Sequence, residues 1–251
     1  MSTPSVAVNE RGLSRSPGSA AWERSERHFW GAMAAAFALV AFLGFAPSYY
    51  LKAHFHAGPH LTPLLKLHGA VMTSWIALLL IQTSLISARR VDWHRRLGVA
   101  GAALATLLTV LFTVVAIVRA KQGVLGPGSP PPLIFLTIPL MGVIVFPVLL
   151  GAAIYNRRRG DYHKRLVMLA TVELVTAAVA RLPGLLALGP LVFFPVADLF
   201  IVAIALRDFA TLRRLHPATL WGGLLLILSQ PVRLLVGATP AWLVFAKWLT
   251  S

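Results

Sequence analysis

An all-α bundle of about seven transmembrane helices is the fold class this sequence predicts, on three observations. Of the 251 residues, 57% are hydrophobic and 12% charged, and the mean hydropathy is +0.76. A soluble domain of this length carries a far more charged surface. Seven apolar segments follow one another, each near the ~17 to 25 residues that a helix needs to cross the hydrocarbon core. Basic residues gather in every second connection between them, which is the signature of membrane orientation. The segments lack the short alternation of a membrane barrel, and in lipid a helix satisfies its own backbone.

Residues 1–27 are rich in Ser, Gly, Pro and Arg without an apolar run, so they read as a mobile, polar cytoplasmic tail. The tail is too long and too polar to be the front of a cleaved signal peptide. The spans are expected at Phe29–Ala46, Pro63–Ser87, Leu97–Val118, Leu133–Tyr155, Leu166–Leu182, Leu191–Leu206 and Ala218–Val236, giving one transmembrane domain over 28–238. The amino tail and the turns Arg89–Arg96, Asn156–Arg165 and Arg207–His216 hold sixteen of the 23 Lys and Arg residues. Positive-inside bias therefore puts the amino terminus in the cytoplasm and the carboxyl terminus outside, with Lys52 and Gly128 outward and Arg90, Arg158 and Arg213 inward. Between the last spans, Pro183–Pro190 reads as a short outer turn. Residues 239–251 carry Trp242, Lys247 and Trp248 among apolar residues, a pattern suited to the outer interface and too short to span.

Two of the basic turns are near copies. Arg90-Val91-Asp92-Trp93-His94-Arg95-Arg96-Leu97 returns as Arg159-Gly160-Asp161-Tyr162-His163-Lys164-Arg165-Leu166. Each joins two apolar segments, so spans two and three pair with spans four and five as an internal repeat of one helical hairpin. Asp92 and Asp161 sit where an N-cap belongs, the aromatics suit the interface, and the arginines meet phospholipid headgroups. On that reading His94 and His163 are polar residues of a first helical turn. With His68 near the start of span two, however, the same residues resemble the cytochrome b561 group over Pro63 to Leu182. That resemblance implies haem b held between paired helices by His68, His94 and His163. Thr137 stands where the repeat would place a fourth histidine. The stretch His216-Pro217-Ala218-Thr219-Leu220-Trp221-Gly222-Gly223 is similar to a family of uncharacterised bacterial seven-span membrane proteins, which implies the bacterial inner membrane and no particular activity.

A second histidine group, His54, His56 and His60 with His68 beyond it, has ligand types and spacing suited to zinc or copper. A solvated polar loop explains the same residues. The absence of cysteine rules out disulfides, thiolate metal sites and a cysteine nucleophile.

Ionisable residues inside spans demand a partner or a role, because each costs ~2.5 to 3.5 kcal/mol at mid-helix. Glu173 and Asp198 are the acids of this kind, on the order of 10 to 13 Å above the inner boundary at ~1.5 Å per residue. Arg181 and Arg233 lie at ~21 to 22 Å by the same rise, with Gln230 one turn below Arg233. Glu173 and Arg181 are eight residues apart and are expected to share roughly one helix face. These five residues are expected to meet in one cavity among spans five, six and seven, with the arginines forming an outward, anion-attracting vestibule.

Phosphate loops, nucleophile elbows and zinc-protease motifs are missing from the sequence, so the balance leans away from an enzyme. The net charge of +15 is split among membrane-surface turns, so nucleic acid is excluded as a partner and the lipid bilayer is the expected one. Three roles stay open: binding or transport of a small solute at the polar site, a haem- or metal-binding redox protein, and a structural or accessory subunit.

Overall fold

Polar-Pro and Gly-Pro steps start four of the helices. Thr62-Pro63, Gly189-Pro190, His216-Pro217 and Thr239-Pro240 each place proline at a first helical position, where its fixed φ helps and its missing N–H costs nothing. The Thr62, His216 and Thr239 side chains accept from the backbone N–H of Leu65, Ala218 and Trp242. The computed structural model describes residues 17–56, 60–123 and 131–251, and among these every regular element is helical. In order they are α1 Pro17–Phe45, continued by a π-turn over Ala46–Tyr50, then α2 Lys52–Phe55, α3 Pro63–Ser87 and α4 Val91–Lys121. There follow α5 Pro132–Phe135, α6 Thr137–Tyr155, α7 Gly160–Val179, α8 Leu185–Leu188, α9 Pro190–Leu212, α10 Pro217–Gly237 and α11 Pro240–Thr250.

Among the described residues, six stretches are long and apolar enough to cross a membrane: Trp22–Tyr50, Pro63–Ser87, Val91–Lys121, Pro132–Tyr155, Pro190–Leu212 and Pro217–Gly237. The chain is thus an all-helical protein with the make-up of a multi-pass membrane protein. Outward-facing apolar side chains on these helices, such as Leu39, Val110, Ile144 and Leu199, fit that reading, and Val99 at 74% and Leu235 at 72% exposure would not be tolerated over such an area in water.

The helix missing from the six is α7, which carries Asp161, Lys164, Arg165 and Glu173. It is also the centre of the bundle. It packs against α1, α6, α9 and α10, and Leu166, Leu169, Ala170, Val172, Val175 and Val179 are buried around most of its circumference. A helix that faces protein on most sides can hold charge, because its partners come from the surrounding helices rather than from lipid. Gly44 lets α1 close on α7: a Cβ there would lie 2.2 Å from the Ala178 carbonyl oxygen. The α3–α4 hairpin completes the bundle, α3 against α1 and α4 against α6.

Three stretches gain structure that their composition did not specify. Residues 17–27 are the start of α1, whereas residues 1–16 lie outside the described residues, as does Gly128. The turn at Pro183–Pro190 contains α8. Residues 240–250 form a helix laid against α4 and α5; Trp242 Nε1 donates to the Leu133 carbonyl at 2.7 Å and Lys121 Nζ to that of Ser251.

Candidate functional site

The periodicity of α10 sets the polar centre. Ser229 and Arg233 are four residues apart and share a face, while Gln230 is turned about 100° away by the helical step. Arg233 is 1% exposed, and its guanidinium meets five acceptors. Nε donates to the Ser229 carbonyl at 3.2 Å, Nη1 to Glu173 Oε1 at 2.9 Å and to the Ile138 carbonyl at 3.5 Å, and Nη2 to Ser229 Oγ at 2.7 Å and Glu173 Oε2 at 3.2 Å. A guanidinium has five N–H donors, so nothing is left over for a solute. Phe194 of α9 closes the site, with its ring centroid 5.3 Å from the guanidinium carbon. Gly142 of α6 makes room for the Glu173 carboxylate, since a Cβ there would lie 2.8 Å from Oε1.

Beside this pair, Gln230 Nε2 donates to Asp198 Oδ1 at 2.7 Å. Glu173 on α7, Asp198 on α9, and Gln230 and Arg233 on α10 therefore gather at the interface of these three helices. Arg181 does not join them. Helix α7 stops at Val179, so Arg181 lies in the following turn, where it is exposed. Its Nη1 donates to the Ala177 carbonyl at 2.7 Å and its guanidinium covers the Phe45 ring at 4.8 Å. The expected anion-attracting pair of arginines is corrected on both counts: one is fully hydrogen-bonded, and the other stands on the α1 side of the bundle.

A larger polar network, at the carboxyl end of α9 and the amino end of α7, escaped the sequence reading. Asp208 of α9 is 0% and Arg165 of α7 3% exposed. Arg165 Nε donates to Asp208 Oδ1 at 2.8 Å, and the His216 backbone N–H donates to Oδ2 at 3.1 Å. His216 Nε2 lies 3.0 Å from Asp161 Oδ2, while Arg165 Nη1 donates to the Asp161 carbonyl at 2.9 Å. On α1, buried Glu26 accepts from Trp30 Nε1 at 3.0 Å and Arg207 Nε at 3.0 Å, and from Lys164. Together these contacts tie α1, α7, α9 and α10. Asp208 and Arg207 fall just past the apolar run and read in sequence as topology charges. The usable signal was an acid embedded among basic residues beside a His-Pro step.

The repeat residues are placed differently from expectation. The N-cap positions of α4 and α7 are Arg90 and Arg159, neither with a side-chain cap bond. Asp92 and Asp161 fall two residues later, so they are first-turn acids rather than caps. Asp92 pairs with Arg90 at 3.9 Å, and Asp161 turns to His216. His94 and His163 do come together, ring centroids 6.2 Å apart. His163 Nδ1 bonds the Ala153 carbonyl at 2.9 Å, and Gln82 Nε2 donates to the His94 carbonyl at 3.3 Å. His68 stands apart, stacked on Phe112 at 5.9 Å. His54, His56 and His60 are exposed, with His56 in the left-handed conformation that ends α2. Among the described residues, no group of three or more His, Asp or Glu side chains is arranged to hold a metal ion. Comparison with protein-family models, curated proteins and solved structures finds no match to this chain.

Proposed function

We propose that this chain is a seven-span protein of the bacterial inner (cytoplasmic) membrane that binds or moves a small cationic solute at Asp198. Helix α7 is the seventh span: its 20 residues reach about 30 Å at 1.5 Å per residue, and its charges are matched within the protein. The hairpins α3–α4 and α6–α7 are the two copies of the repeat, and the basic turns place the amino terminus inside and the carboxyl terminus outside.

One observation carries the solute reading. Of the two acids deep in the spans, Glu173 has a bidentate guanidinium, whereas the partner of Asp198 is the neutral Gln230 amide. A carboxylate so placed attracts a cation or a proton. Neither the groove at the inner end of α1 nor the crevice of about 30 Å³ among α1, α3 and α7 is lined by Asp198. A carboxylate held by one amide within a helix interface suits a compact solute, a monovalent cation or a proton.

The test is thermal unfolding of the purified protein in sodium, potassium or choline salts and across a pH series. The expected result is stabilisation by one cation or by protons that disappears in Asp198→Asn, with the variant still folded. A wild-type protein indifferent to every cation and to pH would contradict it and favour an accessory subunit whose charges are all fastenings. A haem- or metal-binding role has the apposition of His94 and His163 in its favour, since the Nδ1–H bond of His163 leaves Nε2 as a ligand. A Soret band in the purified protein would support that role.

A further inference from the structure

We infer that the inner ends of α1 and α9 form a binding groove for the headgroup of an anionic phospholipid. The groove is shallow and open to the surroundings, and is lined by Arg24, Ser25, His28, Phe29, Ala32 and Arg207. Its polar wall holds two guanidiniums, an imidazole and a hydroxyl, and its lining contains no acid. The neighbouring carboxylates are already paired, Glu26 with Lys164 and Arg207 and Glu23 with Arg27 and Arg89. Two cations around each carboxylate leave the cluster net positive, so the groove favours an anion.

Depth and shape select a lipid. Lys164 and Arg207 lie four residues from the start of α7 and five from the end of α9, about 6 to 8 Å from the helix ends at 1.5 Å per residue. That is headgroup level on the cytoplasmic side, where basic pockets between helices take acidic headgroups. Below the basic wall, α1 continues as an exposed apolar stripe. Ala32, Ala35, Leu39 and Phe42 recur at three- and four-residue spacing beneath His28, with Leu39 58% and Phe42 44% exposed. A phosphodiester on Arg24, His28 and Arg207 thus places its acyl chain along this stripe. A soluble phosphoester would leave the stripe unused.

The inference rests on the reading that these helix ends face the cytoplasmic leaflet, which thiol labelling tests separately. Its own experiment uses the full chain, delipidated in detergent and titrated with phosphatidylglycerol, phosphatidylcholine or water-soluble glycerol phosphate, with thermal stability as readout. Phosphatidylglycerol is expected to stabilise the protein and the other two are not. The double variant Arg24→Gln/His28→Gln changes exposed positions outside the Glu26 bonds, so its lipid-free stability should match wild type. Its apparent affinity for phosphatidylglycerol should fall about tenfold, from the loss of two cationic or hydrogen-bonding contacts, while any Asp198-dependent cation response stays as in wild type. Equal stabilisation by phosphatidylcholine, an unchanged titration in the double variant, or equal stabilisation by glycerol phosphate would each overturn the lipid assignment.

Discussion

Replacing Arg233 with alanine is expected to destabilise the protein by about 3 to 5 kcal/mol, the usual cost of removing one partner from a buried ion pair. The truncation leaves the Glu173 carboxylate facing Gly142 and Phe112 without its two guanidinium bonds. It also strips Ser229 Oγ and the Ile138 carbonyl of a donor. The diagnostic comparison is with the pair removed together. In Glu173→Leu/Arg233→Met no charge is stranded, and well-packed apolar residues often replace a buried pair at little cost, so the double variant should be more stable than Arg233→Ala. Arg181→Ala should be mild, because the hydrogen bond and ring contact of that exposed side chain are to the Ala177 carbonyl and the Phe45 ring, so no acid bonded to it is stranded. Equilibrium unfolding in mixed micelles checks all three. Equal losses for Arg181→Ala and Arg233→Ala would contradict this account of the polar centre.

A loss of similar size, about 3 to 5 kcal/mol, is expected for Asp208→Ala. Asp208 joins three helices: it takes the Arg165 guanidinium from α7 and the His216 backbone N–H at the start of α10. Without it, Arg165 is a buried cation whose remaining recorded oxygen partner is the Asp161 carbonyl. Asp208→Asn should fall between alanine and wild type, since the amide keeps an acceptor but loses the charge. Asp161→Ala should be milder again, because the Asp161 side chain is 55% exposed and exposed pairs contribute little. Unfolding measured for the series should rank Asp208→Ala below Asp208→Asn and Asp161→Ala. If all three lie within a few tenths of a kcal/mol of wild type, the network around Asp208 is not a fastening.

Apolar length and start signals made the helices legible in the sequence. Pro63–Ser87 is the same in the sequence reading and in the structure, because Thr62-Pro63 marks its start and the run ends at basic residues. Ends marked only by a change of polarity moved outward, as in α4, which starts at Val91 rather than Leu97 and so draws Asp92 and His94 into the helix. The polar centre was half legible. Depth along each span brought Glu173, Asp198, Gln230 and Arg233 to one interface, yet depth says nothing about where a helix stops. The end of α7 at Val179 therefore sent Arg181 elsewhere. Asp208, Arg165, Glu26 and His216 were missed for a different reason. At a membrane boundary a buried network and a solvated topology signal have the same composition, and burial alone separates them.

The side of the membrane reached by each end of α7 tests the seven-span account most directly, since α7 is the span of that account that is not among the six helices apolar enough to cross by composition. The chain has no cysteine, so single cysteines report without background. Arg158→Cys precedes α7, and Leu188→Cys, at an exposed position, follows it. In intact cells an impermeant thiol reagent is expected to label Leu188→Cys and Lys52→Cys, and Arg158→Cys only after permeabilisation. Labelling of both Arg158→Cys and Leu188→Cys in intact cells, or protection of both, would show that α7 does not span, and labelling of Arg158→Cys alone would invert the orientation; each would contradict the account.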